Sequence, residues 1–433
     1  RSAAVTDRLL SSQPIASGAS SRLFYGYVLT GYSFVILFLA SSFFLHSRGI
    51  FFPYWMEDFN VARTEISLAI TLTLFTGACL APFMGWLIDR FPVRAITSIG
   101  SVWLATGYLL YQFVDGYYAF LATLLCFQSV GWVCVGPLTH TKLMVNWFER
   151  NRGMALGVAI MGISVAGVVM PTVATVFVES FGWQSTYSIY AGILLVVFVP
   201  MVLVMVRQAP ADVGQFPDGD DAPSGLAPAP GKATQGLAVY REFLGSKPFW
   251  SVVITFTLMN GVYSAMITHL PSYLTTERTF DMYDASTALG VAGFFAITGK
   301  IVFGWMMDHM RAKTTVLFGV ASYFCSTLVF MLASDSYVLV LVAAGLFGLG
   351  FGGMVPVRSV LLSRIFGAAK FSRVNGLFSF FLAPATFWVL ATGWIADTFG
   401  TYTVAFNVWA CCFAGAGIVS ALVKLPDRED AVR

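Results

Sequence analysis

Twelve long apolar runs, the first beginning near Phe24 and the last ending near Lys424, constrain this chain more than any other feature. Each has about the 20 residues, or more, that a helix rising 1.5 Å per residue needs to cross about 30 Å of hydrocarbon. They cover 24 to 54, 66 to 88, 93 to 113, 117 to 146, 153 to 178, 184 to 206, 248 to 275, 284 to 307, 314 to 333, 336 to 364, 373 to 396 and 402 to 424. A backbone amide in lipid finds no water, so a span must close its hydrogen bonds within a helix or around a sealed barrel. Barrel strands are about 10 residues long and alternate in polarity, and these runs do neither. The expected fold is all-α, with twelve transmembrane helices. Composition agrees: 57% of residues are apolar and 11% charged, where a soluble domain carries about 25% charge. A net charge of +3, spread without a basic cluster, argues against a nucleic-acid partner. The six cysteines (Cys79, Cys126, Cys134, Cys325, Cys411, Cys412) all fall in apolar runs, as packing residues do.

Basic residues orient the spans, because cytoplasmic loops retain Lys and Arg. With the N-terminus inside, the inner tails and short loops hold Arg1, Arg8, Arg22, Arg90, Arg94, Arg150, Arg152, Arg311, Lys313, Arg364, Lys370, Arg373, Lys424, Arg428 and Arg433. The outer loops hold only Arg48, Arg63 and Arg278. The chain is therefore expected in the cell membrane with both termini cytoplasmic. Residues 1 to 22 read as a disordered tail, 23 to 207 as one six-helix bundle and 247 to 425 as a second, with a tail at 426 to 433. Between the bundles, 208 to 246 is rich in proline and aspartate and reads as a mobile cytoplasmic linker.

The two bundles repeat each other. Gly85-Trp86-Leu87-Ile88-Asp89-Arg90 returns as Gly304-Trp305-Met306-Met307-Asp308-His309, and Pro137 as Pro356, both 219 residues on. Phe181-Gly182 returns as Phe399-Gly400 and Pro53 as Pro271, 218 residues on. The repeated loop element and the twelve spans resemble the major facilitator superfamily, over roughly 23 to 425. The resemblance implies two pseudo-symmetric six-helix bundles, a central site between them, and gating roles for Asp89, Arg90 and Asp308. Without it, the same charges are simply loop residues that hold helix ends in water. A narrower likeness lies in Trp147-Phe148-Glu149-Arg150-Asn151-Arg152-Gly153-Met154-Ala155-Leu156-Gly157, His269-Leu270-Pro271-Ser272-Tyr273 and Gly352-Gly353-Met354-Val355-Pro356. These segments are similar to monocarboxylate transporters and the related oxalate:formate antiporters.

At membrane depth the ionisable residues are His46, Arg48, His140, Lys142, His269, Lys300 and Arg358, all basic. The Asp and Glu residues fall in loops, tails or span ends. A cation at the centre of a spanning helix costs about 2.5–3.5 kcal/mol on insertion scales and normally faces a cavity or partner. With no carboxylate in the interior of the spans, the substrate is expected to bring the negative charge, as a small organic anion. The resemblance places spans one, four, seven and ten around the cavity and implies a carboxylate-binding position at Lys300, where relatives usually carry arginine. Substrate binding is thus assigned to Lys300 and Arg358, with hydrogen bonds from His46, His269 and His140. Lys142 can snorkel to the interface, and Arg48 reads as an outer-surface charge. The proton-coupling carboxylate of animal relatives would fall at Ala296, and the antiporter lysine is missing from span eleven. Proton symport and anion exchange therefore both stay open. No nucleophile, metal cluster or cofactor box is legible, so neither an enzyme nor a cofactor is expected. A carrier of neutral solutes, or a membrane sensor that does not transport, are the other readings.

Overall fold

The computed structural model describes residues 24–219, 237–333, 335–367 and 370–423. The two expected tails and the middle of the linker, 220–236, lie outside the described residues. Among the described residues, twelve helices are long and apolar enough to cross a membrane: Tyr25–Phe59 (α1), Arg63–Ile88 (α2), Val93–Phe113 (α3), Tyr117–Trp147 (α4), Gly153–Phe181 (α5), Trp183–Met205 (α6), Lys247–Thr276 (α7), Met282–His309 (α8), Ala312–Leu332 (α9), Tyr337–Phe366 (α10), Val374–Phe399 (α11) and Thr403–Leu422 (α12). An even number of crossings returns the chain to the face where it started. That face also carries Arg90, Arg94, Arg150, Arg311, Lys313, Arg364 and Lys370 and is called the basic face below; the opposite one is the far face.

The sequence repeat survives as backbone geometry. Gly182 joins α5 to α6 with φ +77° and Gly400 joins α11 to α12 with φ +70°. A Cβ is strained at such angles, so the same glycine recurs where each half turns sharply at the far face. The repeated Gly-Trp elements likewise finish matching helices, the first continuing beyond its apolar span to Arg90 and the second ending at His309. The prolines diverge. Gly136 interrupts α4 with an extended backbone and Pro137 begins a fresh helix there, whereas Pro356 lies inside continuous α10. Proline has no N–H and suits a first helical turn, which explains the break in α4.

The linker is anchored where it leaves the first half. The Trp147 indole donates to the Arg207 carbonyl and the Val93 N–H to Gln208 Oε1, both at 3.0 Å. Asp218 accepts the backbone N–H groups of Glu149, Arg150 and Asn151 at 2.9, 2.7 and 3.1 Å. Beyond 236, a short helix at Leu237–Leu244 precedes α7, and Lys370 pairs with Glu242 at 2.7 Å. Both described ends of the segment expected as a linker, 208 to 246, thus make contacts with the rest of the chain. Proline and aspartate content suggested coil, but here an aspartate satisfies three consecutive amides of the turn between α4 and α5.

The halves meet along three helix pairs, α1–α7, α2–α11 and α5–α8. At each crossing a glycine allows the two helices to approach closely. A Cβ on Gly49 would strike the Ile267 carbonyl, one on Gly393 the Ser67 side chain, and one on Gly293 the backbone of Gly167. These crossings lie on the far-face side of the helices or near mid-membrane, so the molecule is sealed at the far face.

Candidate functional site

The site begins with a fault in α1. Residues Ser42–His46 form a π-helical segment in which the Ser47 N–H reaches back to the Ser42 carbonyl at 3.2 Å. Such bulges insert one residue and rotate those that follow, and they often mark functional positions. Here the bulge ends on His46, whose ring lies against Gly167 of α5. The imidazole hydrogen-bonds the Ile163 carbonyl and lies within electrostatic reach of Arg48 and Lys300, while its Nε2 is buried without a partner.

Across the α5–α8 crossing, the Lys300 ammonium donates to the Ser164 hydroxyl. One hydroxyl meets one of the three ammonium donors. Beside this pair lies a cavity of about 30 Å³, lined by His46, Gly167, Tyr263, Gly293, Ala296 and Phe351 among others. A water needs about 10–15 Å³ on this measure, so the space suits a carboxylate-sized group and little more. The Tyr263 and Phe351 rings stack flat with centroids 3.4 Å apart and make one wall apolar.

The remaining predicted residues lie elsewhere on the helices, and none of them lines this cavity. His140 opens the new helix after the α4 break, with Nδ1 3.1 Å from Ser33 Oγ of α1 and Nε2 buried without a partner. Arg358 is half-buried on α10, its guanidinium 4.9 Å from the centre of the Phe378 ring and its Nε without a partner. Among the described residues, neither Lys300 nor Arg358 pairs with a carboxylate.

His269 belongs to the seam. Its Nε2 is 3.0 Å from the Val389 carbonyl and 3.3 Å from Ser67 Oγ, and its Nδ1 is 3.1 Å from the Tyr402 hydroxyl. A carbonyl can only accept, so Nε2 carries the hydrogen and the neutral ring accepts at Nδ1. Both nitrogens are thereby engaged by protein in this state. Next to it, Asp397 of α11 accepts the Thr64 N–H at 2.7 Å and the Thr64 hydroxyl at 2.6 Å, and lies 3.7 Å from Arg63. Arg63 also faces the Tyr402 ring at 5.3 Å. This far-face latch was missed in the sequence, although Arg63 was one of only three basic residues counted on that side.

Arg48 is corrected outright. It is 5% exposed, well inside the protein rather than on its outer surface. Of the expected gate residues, Arg90 stacks over Trp86 at 4.6 Å, and Asp308 is exposed one residue before the end of α8. The side chain of Asp89 lies outside the described residues.

Two six-helix halves in contact near the far face, with His46 lining a small cavity at the α5–α8 crossing, have the form of a membrane transporter. A family model described as Major Facilitator Superfamily matches residues 32–388, and the chain belongs to that superfamily. It is 22% identical over 399 residues to the "Uncharacterized MFS-type transporter YcxA" of Bacillus subtilis (strain 168), covering 88% of this chain and 91% of that one. It is also 22% identical over 403 residues to "Monocarboxylate transporter 12" of Mus musculus, covering 87% and 80%. Among solved structures, a bacterial homologue of the human lysosomal transporter Spinster, inward-facing and unoccupied, superimposes with a TM-score of 0.66 at 13% identity, covering 95% of each chain. That likeness concerns the fold alone.

Proposed function

We propose that this carrier moves small organic anions, chiefly monocarboxylates, across the cell membrane, with its basic face in the cytoplasm. The observation that carries this reading is that the basic side chains within the spans, and the His46 imidazole that lines the cavity, meet no carboxylate among the described residues. Lys300 and Arg358 lack carboxylate partners among the described residues, and Arg358 Nε, His46 Nε2 and His140 Nε2 are buried and unpartnered. A buried charge or polar group left this way costs free energy until a complementary group arrives. A carboxylate supplies both the charge and the hydrogen-bond acceptors. The apolar wall at Tyr263 and Phe351 suits the short hydrocarbon body of a monocarboxylate, and the name of the murine relative points the same way.

In the cycle, Lys300 and His46 bind the carboxylate at the α5–α8 crossing. Arg358 and His140 close on it as the basic-face halves approach. His269 and the Asp397 latch seal the far face, and Asp89, Arg90 and Asp308 hold the basic face when it shuts. Coupling runs through a proton carried by the acid or a histidine, or through exchange for a second anion.

Flux in proteoliposomes tests the assignment. Lys300→Ala and Arg358→Ala are each expected to lower uptake of acetate, pyruvate or lactate at least tenfold while the protein still inserts and folds. Full uptake in both variants would remove these residues from the site.

A further inference from the structure

The place of His46 in the cavity depends on the irregular turn of α1 that ends on it. Nearer the basic face, α1 packs on α5 along Phe34 and Phe38: a Cβ on Gly162 would strike the Phe34 carbonyl and the Phe38 nitrogen. In an unbroken α-helix the positions that share this face are 34, 38, 41 and 45. Leu45 would then follow onto α5. Instead the residue that lies against Gly167 of α5 is His46, one position later, because the π-helical segment Ser42–His46 holds one extra residue. Closing that turn to regular α-helix would rotate the imidazole about 100° off the α5 face.

A wide turn disturbs the backbone ladder, and two side chains supply donors to it here. The Ser47 N–H, which would serve Phe43 in an α-helix, is drawn back to the Ser42 carbonyl at 3.2 Å. The Ser47 hydroxyl donates to the same carbonyl at 2.8 Å and lies 3.2 Å from the Tyr190 hydroxyl of α6. With its single hydrogen so used, Ser47 accepts from Tyr190. Arg48 Nε donates to the Phe44 carbonyl at 2.9 Å, the group its backbone N–H would meet in a regular helix. Phe43 stacks on Tyr190 and Phe44 on Trp132 of α4, with ring centres 4.2 and 4.6 Å apart. The guanidinium lies 4.6 Å from the centre of the Phe44 ring. This stretch of α1 therefore packs into its own six-helix half, and Arg48 does not line the cavity.

We infer that Ser47 and Arg48 are positioning residues for His46: their side-chain donors hold the wide turn of α1 that sets the imidazole in the cavity. The inference rests on the assignment of His46 to the anion site. What acts at Arg48 is the Nε–H group and not the positive charge. Glutamine carries an N–H at the same distance along its side chain without the charge, whereas methionine has a similar length and no donor. The two substitutions separate holding the turn from attracting an anion.

The test reads the imidazole directly. The chain holds four histidines, so nitrogen-15 histidine NMR of the purified full chain in micelles resolves them, and His46→Asn identifies the signals of His46. Arg48→Met is expected to displace those signals and leave His140, His269 and His309 in place, while Arg48→Gln leaves all four unchanged. In proteoliposomes, Arg48→Met should raise the KM for pyruvate about tenfold with kcat within twofold, as His46→Asn does, and the double variant should be no worse than His46→Asn alone. Arg48→Gln should keep KM within twofold of the original. His46 signals that stay put in Arg48→Met, an Arg48→Gln as impaired as Arg48→Met, or losses that multiply in the double variant would each overturn the inference. If Arg48→Met yields no folded protein, Ser47→Ala removes the other donor and is read on the same signals: displaced His46 signals support the inference and unmoved ones overturn it. Should the unsubstituted protein move no carboxylate while the His46 signals respond as expected, the carrier reading fails and the positioning stands.

Discussion

Single side chains divide here by what remains unsatisfied. His269 has protein partners at both nitrogens, so it reads as a seam residue, whereas His46 and His140 each keep a buried nitrogen open. No spacing rule separates these three histidines, because the difference lies in which helices pack beside them. Asp218 is the reverse case, a linker residue whose role follows from one carboxylate. Partial burial opposes its ionisation slightly, but the N–H groups of Arg150, Glu149 and Asn151, with the Arg150 charge, outweigh that and hold its carboxyl below the usual aspartate range. A depressed value means that the clasp is complete above the ordinary pKa of about 3.9 and is lost as pH falls through the lower folded value. At neutral pH it is fully formed. Asp218→Ala is expected to expose the 149–151 turn, seen as faster tryptic cleavage after Arg150 at pH 7.5. An unchanged cleavage rate would show that the turn holds without it.

At the scale of helices, glycine determines how closely the halves meet. Gly293 and Gly167 bring α8 and α5 into backbone contact, and near that crossing Lys300 reaches Ser164. Widening it separates donor from acceptor. Gly293→Val places a branched side chain against the Gly167 backbone, and overpacking of this kind costs about 1–3 kcal/mol. By the usual factor of ten per 1.4 kcal/mol, the sealed state should lose roughly 5- to 150-fold in population relative to its alternative. A reporter Ile267→Cys, in a background without the six native cysteines, should then react correspondingly faster with an impermeant maleimide from the far face. Equal rates with Gly293 and Val would show that the crossing tolerates the bulk.

In the proposed cycle the whole molecule balances sealing one face against sealing the other, with the Asp397 contact as one weight in that balance. Asp397 accepts two hydrogen bonds from Thr64 and lies beside Arg63, with both charged side chains largely shielded. Asp397→Asn keeps the shape but removes the charge, a change worth about 1–2 kcal/mol for charge-assisted hydrogen bonds. Spin labels at Tyr118→Cys and Val338→Cys, exposed far-face positions on opposite halves, should report a growing long-distance population. No change in the distance distribution would remove Asp397 from the latch. The architecture behind this balance was legible from residues alone. Twelve runs of spanning length, a repeat offset of 218 to 219 and the Lys/Arg distribution depend on hydrocarbon thickness and local backbone need, which act residue by residue along the chain. Lys300 could be singled out for the same reason, since charge in an apolar run is visible without coordinates. The burial of Arg48, the choice of Ser164 as partner for Lys300 and the clasp on Asp397 were decided only by the tertiary structure. Each depends on which side of a helix meets another helix hundreds of residues away, and a one-residue π-helical insertion in α1 is enough to change that facing.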